Sequence, residues 1–295
     1  MVEVKRNISS ERIRQSARHV LFVEGREGSI DPTALRILLP QIAIKPLGPA
    51  SHIKSVASAL HKHHPDYYFL IDRDHQSDDF VKKCWKNFPD PEKSNLLVWG
   101  RRSIENYFII PEYLLKSQYL KRNVSRDELM SHIRECCVKR IYMEAANMVI
   151  VNIREECKES WVRLFTCLEE FDTKEKAIHK LDSIEKFTEQ RKRISKLLSK
   201  KKRRILFREY TNMLTGEKRE IEYGYGLWLD RIDGKKVLNS IIDSCFTISD
   251  LKGNSLHGIE KVNEVVKDLM RKDLKEQPRD FQKLYEIISK RVKES

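Results

Sequence analysis

Several acidic residues sit where apolar runs give out. Glu24 follows HVLFV, Asp72 and Asp74 follow YYFLI as a D-x-D, and Glu105 comes just after NLLVWG. Carboxylates gathered this way are hard oxygen donors, which suit Mg2+ or Mn2+; such ions keep several waters and bind substrate phosphates directly. An ion so held activates water and neutralises the charge developing on a scissile phosphate. In extended backbone, residues two apart point the same way, so both carboxylates of the D-x-D can reach one cation. Turn formation and helix capping compete with this reading. They weigh most for Asp31 beside Pro32 and least for Glu24 between Val23 and Gly25. Glu105 either joins the acids or pairs with Arg101 or Arg102. Lys235 and Lys236 either reach a phosphate and stabilise its charge, or are solvated beyond a turn that ends at Gly234.

The elements that must position these residues alternate. Residues 19–23 read as a buried strand, 41–45 as a second, Tyr67 to Ile71 as a third and Asn95 to Trp99 as a fourth. Between them lie helical patterns. Asp31 as N-cap and Pro32 in the first turn open one of these, Ser51 caps the next, and a third covers 78–88. This order, β-α-β-α-β-α-β, predicts an α/β fold with a largely parallel sheet covered on both faces. In such sheets the chemistry belongs at the carboxyl ends of the strands, which would bring the acids to one edge.

After Pro111 the pattern turns to long helices. Ser125 and Glu128 form a capping box, with apolar residues recurring from Leu129 past Met148 and Trp161. Thr173 is expected to cap another long helix with Ile178, Leu181 and Ile184 on one face. Residues 207–229 read as a hairpin or loop insertion around Thr215-Gly216, and helices return from Val237. The predicted division is therefore a catalytic domain over 1–114 and a mainly helical substrate- and partner-binding region over 115–295.

Hydrophobic residues make up 40% of the 295 and charged residues 34%, a balance that suits a folded, helix-rich chain. No apolar run approaches the ~20 residues a membrane helix needs, and the N-terminus is too polar for a signal peptide; a cytoplasmic protein is expected. The six cysteines (84, 136, 137, 157, 167 and 245) form no CxxC pair and are read as reduced and mostly buried. Net charge is +13, with 18 Lys and Arg against 14 Asp and Glu in residues 1–120, and 39 against 30 in the rest. Basic surface attracts polyanions through counterion release. Nine of the fourteen residues from Arg191 to Arg204 are Lys or Arg. They either line a nucleic-acid groove, with Phe207 and Tyr210 near enough to stack on bases, or form a solvated helix face.

FVEG…SxD…LIDRD resembles the Toprim domain shared by topoisomerases, primases and the OLD-family nucleases. The resemblance implies acid/base or metal-binding work for Glu24 and magnesium binding for Asp72 and Asp74. OLD-like members carry another acid after the first strand. Asp31 matches it at a wider spacing, with Glu27 as competitor, and a lysine of those nucleases makes Lys235 a catalytic candidate. RSIENYFIIPEYL (102–114) and RIDGKKVLNSI (231–241) are similar to blocks of a Toprim subgroup found beside ABC-type ATPases, which includes the AriB-type effectors of the PARIS anti-phage system. The likeness covers the first 114 residues and only the 231–241 block thereafter. It implies a metal-dependent nuclease, held by an ABC-type ATPase sensor, that cuts host nucleic acid on release, tRNA being favoured over DNA. A homodimer is expected when active, since one site per chain suits paired cuts.

Other chemistries find less support. His61, His63 and His64 lack the further ligands of a transition-metal site and read as an exposed helix end, whereas His75 beside the D-x-D could contact phosphate. No nucleophile elbow or P-loop is present, so any ATPase is a partner. The alternatives are a non-catalytic nucleic-acid-binding or regulatory subunit of the same fold, or a DNA nuclease of the OLD type. A primase-like polymerase would need nucleotide-binding apparatus that the sequence does not display.

Overall fold

The computed structural model describes residues 18–157, 173–249 and 252–294. Trp161 and Cys167 lie outside them. The chain forms two compact units, one of residues 1–138 with 229–295 and the other of 139–228. This division differs from the expected boundary at 114: the chain's last helices belong to the unit that holds the sheet.

In the first unit, β1 (Val20–Val23), β2 (Ala43–Pro46), β3 (Tyr67–Ile71) and β4 (Leu96–Val98) pair in the order β2-β1-β3-β4, all parallel. The expected α/β architecture is therefore present. Every residue of β1 is buried, because helices cover both faces. Val20 and Phe22 join Phe69, Ile71 and Val98 beneath α2 (Ala50–Leu60) and α3 (Asp78–Asn87), which contribute Ile53, Ala57 and Val81. Leu21 and Val23 point the other way, as alternation requires. The connection from β1 to β2 runs opposite in direction to the later ones, so right-handed crossovers put α1 (Ile30–Leu38) on that second face.

The sheet is closed by segments from both ends of the chain. After β4 come the short helices α4 (Glu105–Phe108) and α5 (Pro111–Leu114), then α6 (Arg126–Val138). The Ser125–Glu128 capping box forms as expected: Ser125 N–H donates to Glu128 Oε2 at 2.7 Å and Glu128 N–H to Ser125 Oγ at 3.2 Å. The second unit holds α7 (Ile141–Cys157), α8 (Lys174–Asp182), α9 (Glu185–Leu197) and α10 (Lys200–Thr215). The one-turn helix α11 (Trp228–Arg231) leads to α12 (Gly234–Cys245), α13 (Gly258–Met270) and α14 (Arg279–Glu294) of the first unit. α13 packs on α1, and Phe281 of α14 lies against Trp99, Tyr107 and Phe108.

Several expectations are corrected. Asp31 is not an N-cap: Ser29 holds that position and Asp31 sits buried in the first turn, because a proline is compatible with any place in that turn. Pro49, not Ser51, precedes α2. No hairpin forms around Thr215-Gly216. α10 runs through Thr215 and stops at Gly216 in the left-handed region, φ 65°, where glycine lacks the Cβ penalty. The helix after Thr173 is two helices, and Ile178 and Leu181 are about half exposed rather than a core stripe. His61 is buried, its ring bonded to Ala57 O and Glu92 O. Among the described cysteines, Cys137 and Cys245 are buried, whereas Cys84 and Cys136 are partly exposed and Cys157 is exposed, so the expectation of mostly buried thiols holds for two of five. Among the described residues no helix is long and apolar enough to cross a membrane.

Candidate functional site

Strand order decides where the acids meet. The connection leaving β1 goes to one side of the sheet and the one leaving β3 to the other, so the crevice between their carboxyl ends is a topological switch point. Glu24 follows β1 and Asp72 follows β3. The Asp72 N–H donates to Glu24 Oε1 at 2.7 Å, and a second backbone donor at Ala50 also faces Glu24. Gly25 is required beside it: its φ is +94°, and a Cβ there would lie 2.4 Å from Ser29 Oγ.

Helices bring the rest. A cleft of about 420 Å³ is lined by Glu24, Asp31, Glu105 and Lys235, with Gly48 and Asn239 on its walls. Lys235 Nζ donates to Asp72 Oδ2 at 3.3 Å, from a side chain 55% exposed to a carboxylate only 5% exposed. Asp31 rather than Glu27 faces the acids: Glu27 spends both oxygens on Arg36 at 2.8 Å, at the surface. Glu105 is buried, while Arg101 pairs with Asp230 and Arg102 donates to Arg231 O. Lys236 is exposed and does not line the cleft, with its N–H, like that of Lys235, bonded to the Asp233 cap.

The D-x-D is not an extended pair. Asp74 has φ 48°, donates its N–H to Arg102 O and is exposed, so the alternation argument fails at this position. Its charge still raises the pKa values of Glu24 and Asp72. The intervening Arg73 turns inward, to Gly100 O at 2.8 Å and to Asp78. His75 is partly buried and does not line the cleft.

No family model and no curated protein matches this chain. The geometry must therefore speak for the site. Burial first, and then the Glu105 charge, push the Asp72 carboxyl up to about 8. Burial and the charges of Asp72 and Glu105 raise Asp31 well above the carboxylate range, and burial raises Glu24 and Glu105 too. Burial alone would lower Lys235, but Glu105, Asp72 and Asp31 outweigh it and hold the ammonium charged. Among the described residues, no three His, Cys, Asp or Glu side chains converge closely enough to chelate one ion. However, Asp72 Oδ1 and Glu105 Oε2 are buried without a hydrogen-bond partner, which is costly for a carboxylate. Unsatisfied oxygens in an acid cluster fit a hard divalent cation.

One part of the site escaped the sequence reading. Asn106, fully buried, donates from Nδ2 to Leu229 O and Ile232 O, both at 2.9 Å, and accepts at Oδ1 from Ser103 N and Oγ. Gly234 lies directly against it; a Cβ there would stand 2.5 Å from Asn106 Oδ1. Asn106 thus ties the segment carrying Glu105 to the segment carrying Lys235. The available signal was an amide just before the apolar stretch Tyr107–Ile110, since a buried amide requires partners.

Proposed function

We propose that this chain is a divalent-metal-dependent nuclease of the Toprim type. What supports the reading is the meeting of Glu24, Asp72, Glu105 and Lys235 at the switch point, with two buried carboxylate oxygens lacking partners. Asp72 and Glu105, which carry the unpartnered oxygens, would hold Mg2+ or Mn2+ with waters completing its shell and Glu24, Asp31 and Asp74 adding negative charge around it; the ion would supply an activated water and charge neutralisation at the phosphate. Glu24, oriented by two backbone donors and raised by burial, is placed to accept a proton on its carboxylate. Lys235 presents a charged, half-exposed ammonium at the cleft for a phosphate oxygen. The motif likeness extends the proposal to an anti-phage effector: a cytoplasmic homodimer, released from an ABC-type ATPase, that cuts host tRNA.

The competing reading is a nucleic-acid-binding subunit without catalysis. The Lys235–Asp72 ion pair favours it, because an internal cation can compensate an acid cluster on its own. Incubation of the purified chain with tRNA, single-stranded DNA and duplex DNA separates the two. Wild type should cut one of them with Mg2+ or Mn2+ and stop with EDTA, and Glu24→Gln and Asp72→Asn should each lower the rate by about a hundredfold or more. Cleavage that survives EDTA or Asp72→Asn would sink the nuclease reading. No cleavage, with metal affinity equal in wild type and Asp72→Asn, would leave the carboxylates structural.

A further inference from the structure

α7 and α10 of the second unit pack along each other and leave an open groove of about 660 Å³. Its walls differ chemically. α7 supplies Ala146, Val149 and Ile150, and α10 supplies Lys200, Arg203, Arg204 and Phe207. Positions 200, 203, 204 and 207 share one helix face, so the helix sorts part of the basic run into a stripe along the groove. All three cations are exposed, and none pairs with a carboxylate among the described residues. Tyr142, one turn before Ala146, is 66% exposed and stacks on Phe207 with ring centroids 6.3 Å apart.

An exposed ring stacked on a half-buried one, beside exposed cations without carboxylate partners among the described residues, matches a polyanion that carries flat apolar faces. We propose that this groove binds single-stranded nucleic acid, its phosphates on Lys200, Arg203 and Arg204 and a base against the Tyr142–Phe207 pair. A duplex keeps its bases stacked and offers the rings nothing. An acidic helix is the rival occupant, but the charge pattern disfavours it. Lys201, Lys202 and Arg208 carry positive charge around the rest of the helix, with no acid between Glu189 and Glu209. A flexible, charge-dense polymer can use that whole surface, whereas one face of a helix cannot. The assignment rests on this groove alone and holds whether or not the carboxylate cleft cuts the bound strand.

The test is fluorescence anisotropy of the full chain in EDTA with a labelled, mixed-sequence single-stranded RNA of about 20 nucleotides, from low to moderate salt. The variant Lys200→Glu/Arg203→Glu/Arg204→Glu should bind at least about tenfold more weakly. Its dependence of log affinity on log salt should be shallower by about 2, as expected for three lost phosphate contacts on a single strand. Tyr142→Ala should cost about fivefold at unchanged salt dependence. A charge-matched control on exposed lysines of the first unit, Lys62→Glu/Lys86→Glu/Lys293→Glu, should stay within about twofold of wild type. Equal losses in the two triple variants would reduce the effect to net charge and overturn the site. Unchanged affinity in both would overturn it too and leave the groove to an acidic protein surface. Unchanged affinity in Tyr142→Ala would overturn the placement of the base. Binding without metal is read separately from cleavage, so either proposal can fail while the other survives.

Discussion

At the scale of single residues, the acid cluster stores a conflict between charge and burial. Asp72, with a carboxyl pushed up to about 8 in the fold, has an ordinary value near 3.9 when unfolded. A group raised in this way contributes stability that is fully present below its unfolded value and is lost as pH rises through its folded value. Asp31, Glu24 and Glu105 shift in the same direction. The metal-free chain should therefore lose Tm between about pH 4 and pH 8. Asp72→Asn should flatten that fall, and Mg2+ or Mn2+ should raise Tm more at the alkaline end than at the acid end. Thermal scans across that range check all three, and a Tm independent of pH in wild type would count against the burial of these charges. Lys235 opposes the conflict from within. Lys235→Met should lower Tm most at high pH, where the acids are charged, and Lys236→Met, at an exposed position, should leave it nearly unchanged.

At the scale of elements, the site depends on the contact between two short segments distant in sequence. α4 carries Glu105, α12 carries Lys235, and Asn106 and Gly234 hold them together. Gly234→Ala forces a methyl into Asn106 and should cost about 1–3 kcal/mol. Asn106→Leu leaves the Leu229 and Ile232 carbonyls and the buried Ser103 N–H short of a partner and should cost about the same or more. Urea unfolding measures both. Each should also weaken metal binding, because Glu105 and Lys235 would no longer be held in register with Asp72. A Gly234→Ala chain of wild-type stability would mean that this close approach is not maintained in solution.

At the scale of the whole molecule, the sheet domain is built from both ends of the chain. Residues 229–295 cover surface that residues 1–138 cannot cover alone: Phe281 fills the space beside Trp99 and Tyr107, the Tyr107 hydroxyl bonds Asp280, and α13 packs on α1. Residues 1–138 expressed alone should therefore keep helical far-UV dichroism and lose the near-UV signal of a fixed Trp99. A cooperative, native-like transition for that fragment would show that the closing helices are dispensable.

Local pattern was enough to locate the strands, the α/β order, the Ser125–Glu128 box and the acids at strand ends, because apolar runs and capping residues act within a few residues of themselves. It misjudged features that depend on distant neighbours. Glu27 competes on paper with Asp31, the matching candidate, and drops out only when Arg36 takes both its oxygens. The D-x-D reads as extended until the Arg102 carbonyl holds Asp74 in the left-handed region. Asn106 looks like one more polar residue beside Glu105 until Leu229 and Ile232 present their carbonyls. Sequence by itself determined which residues want to be strands and helices and which acids stand at strand ends. Tertiary structure alone decided which of these side chains meet, since the strand order that creates the switch point, and the return of Lys235 to Asp72, arise from burying both faces of one sheet rather than from any local preference.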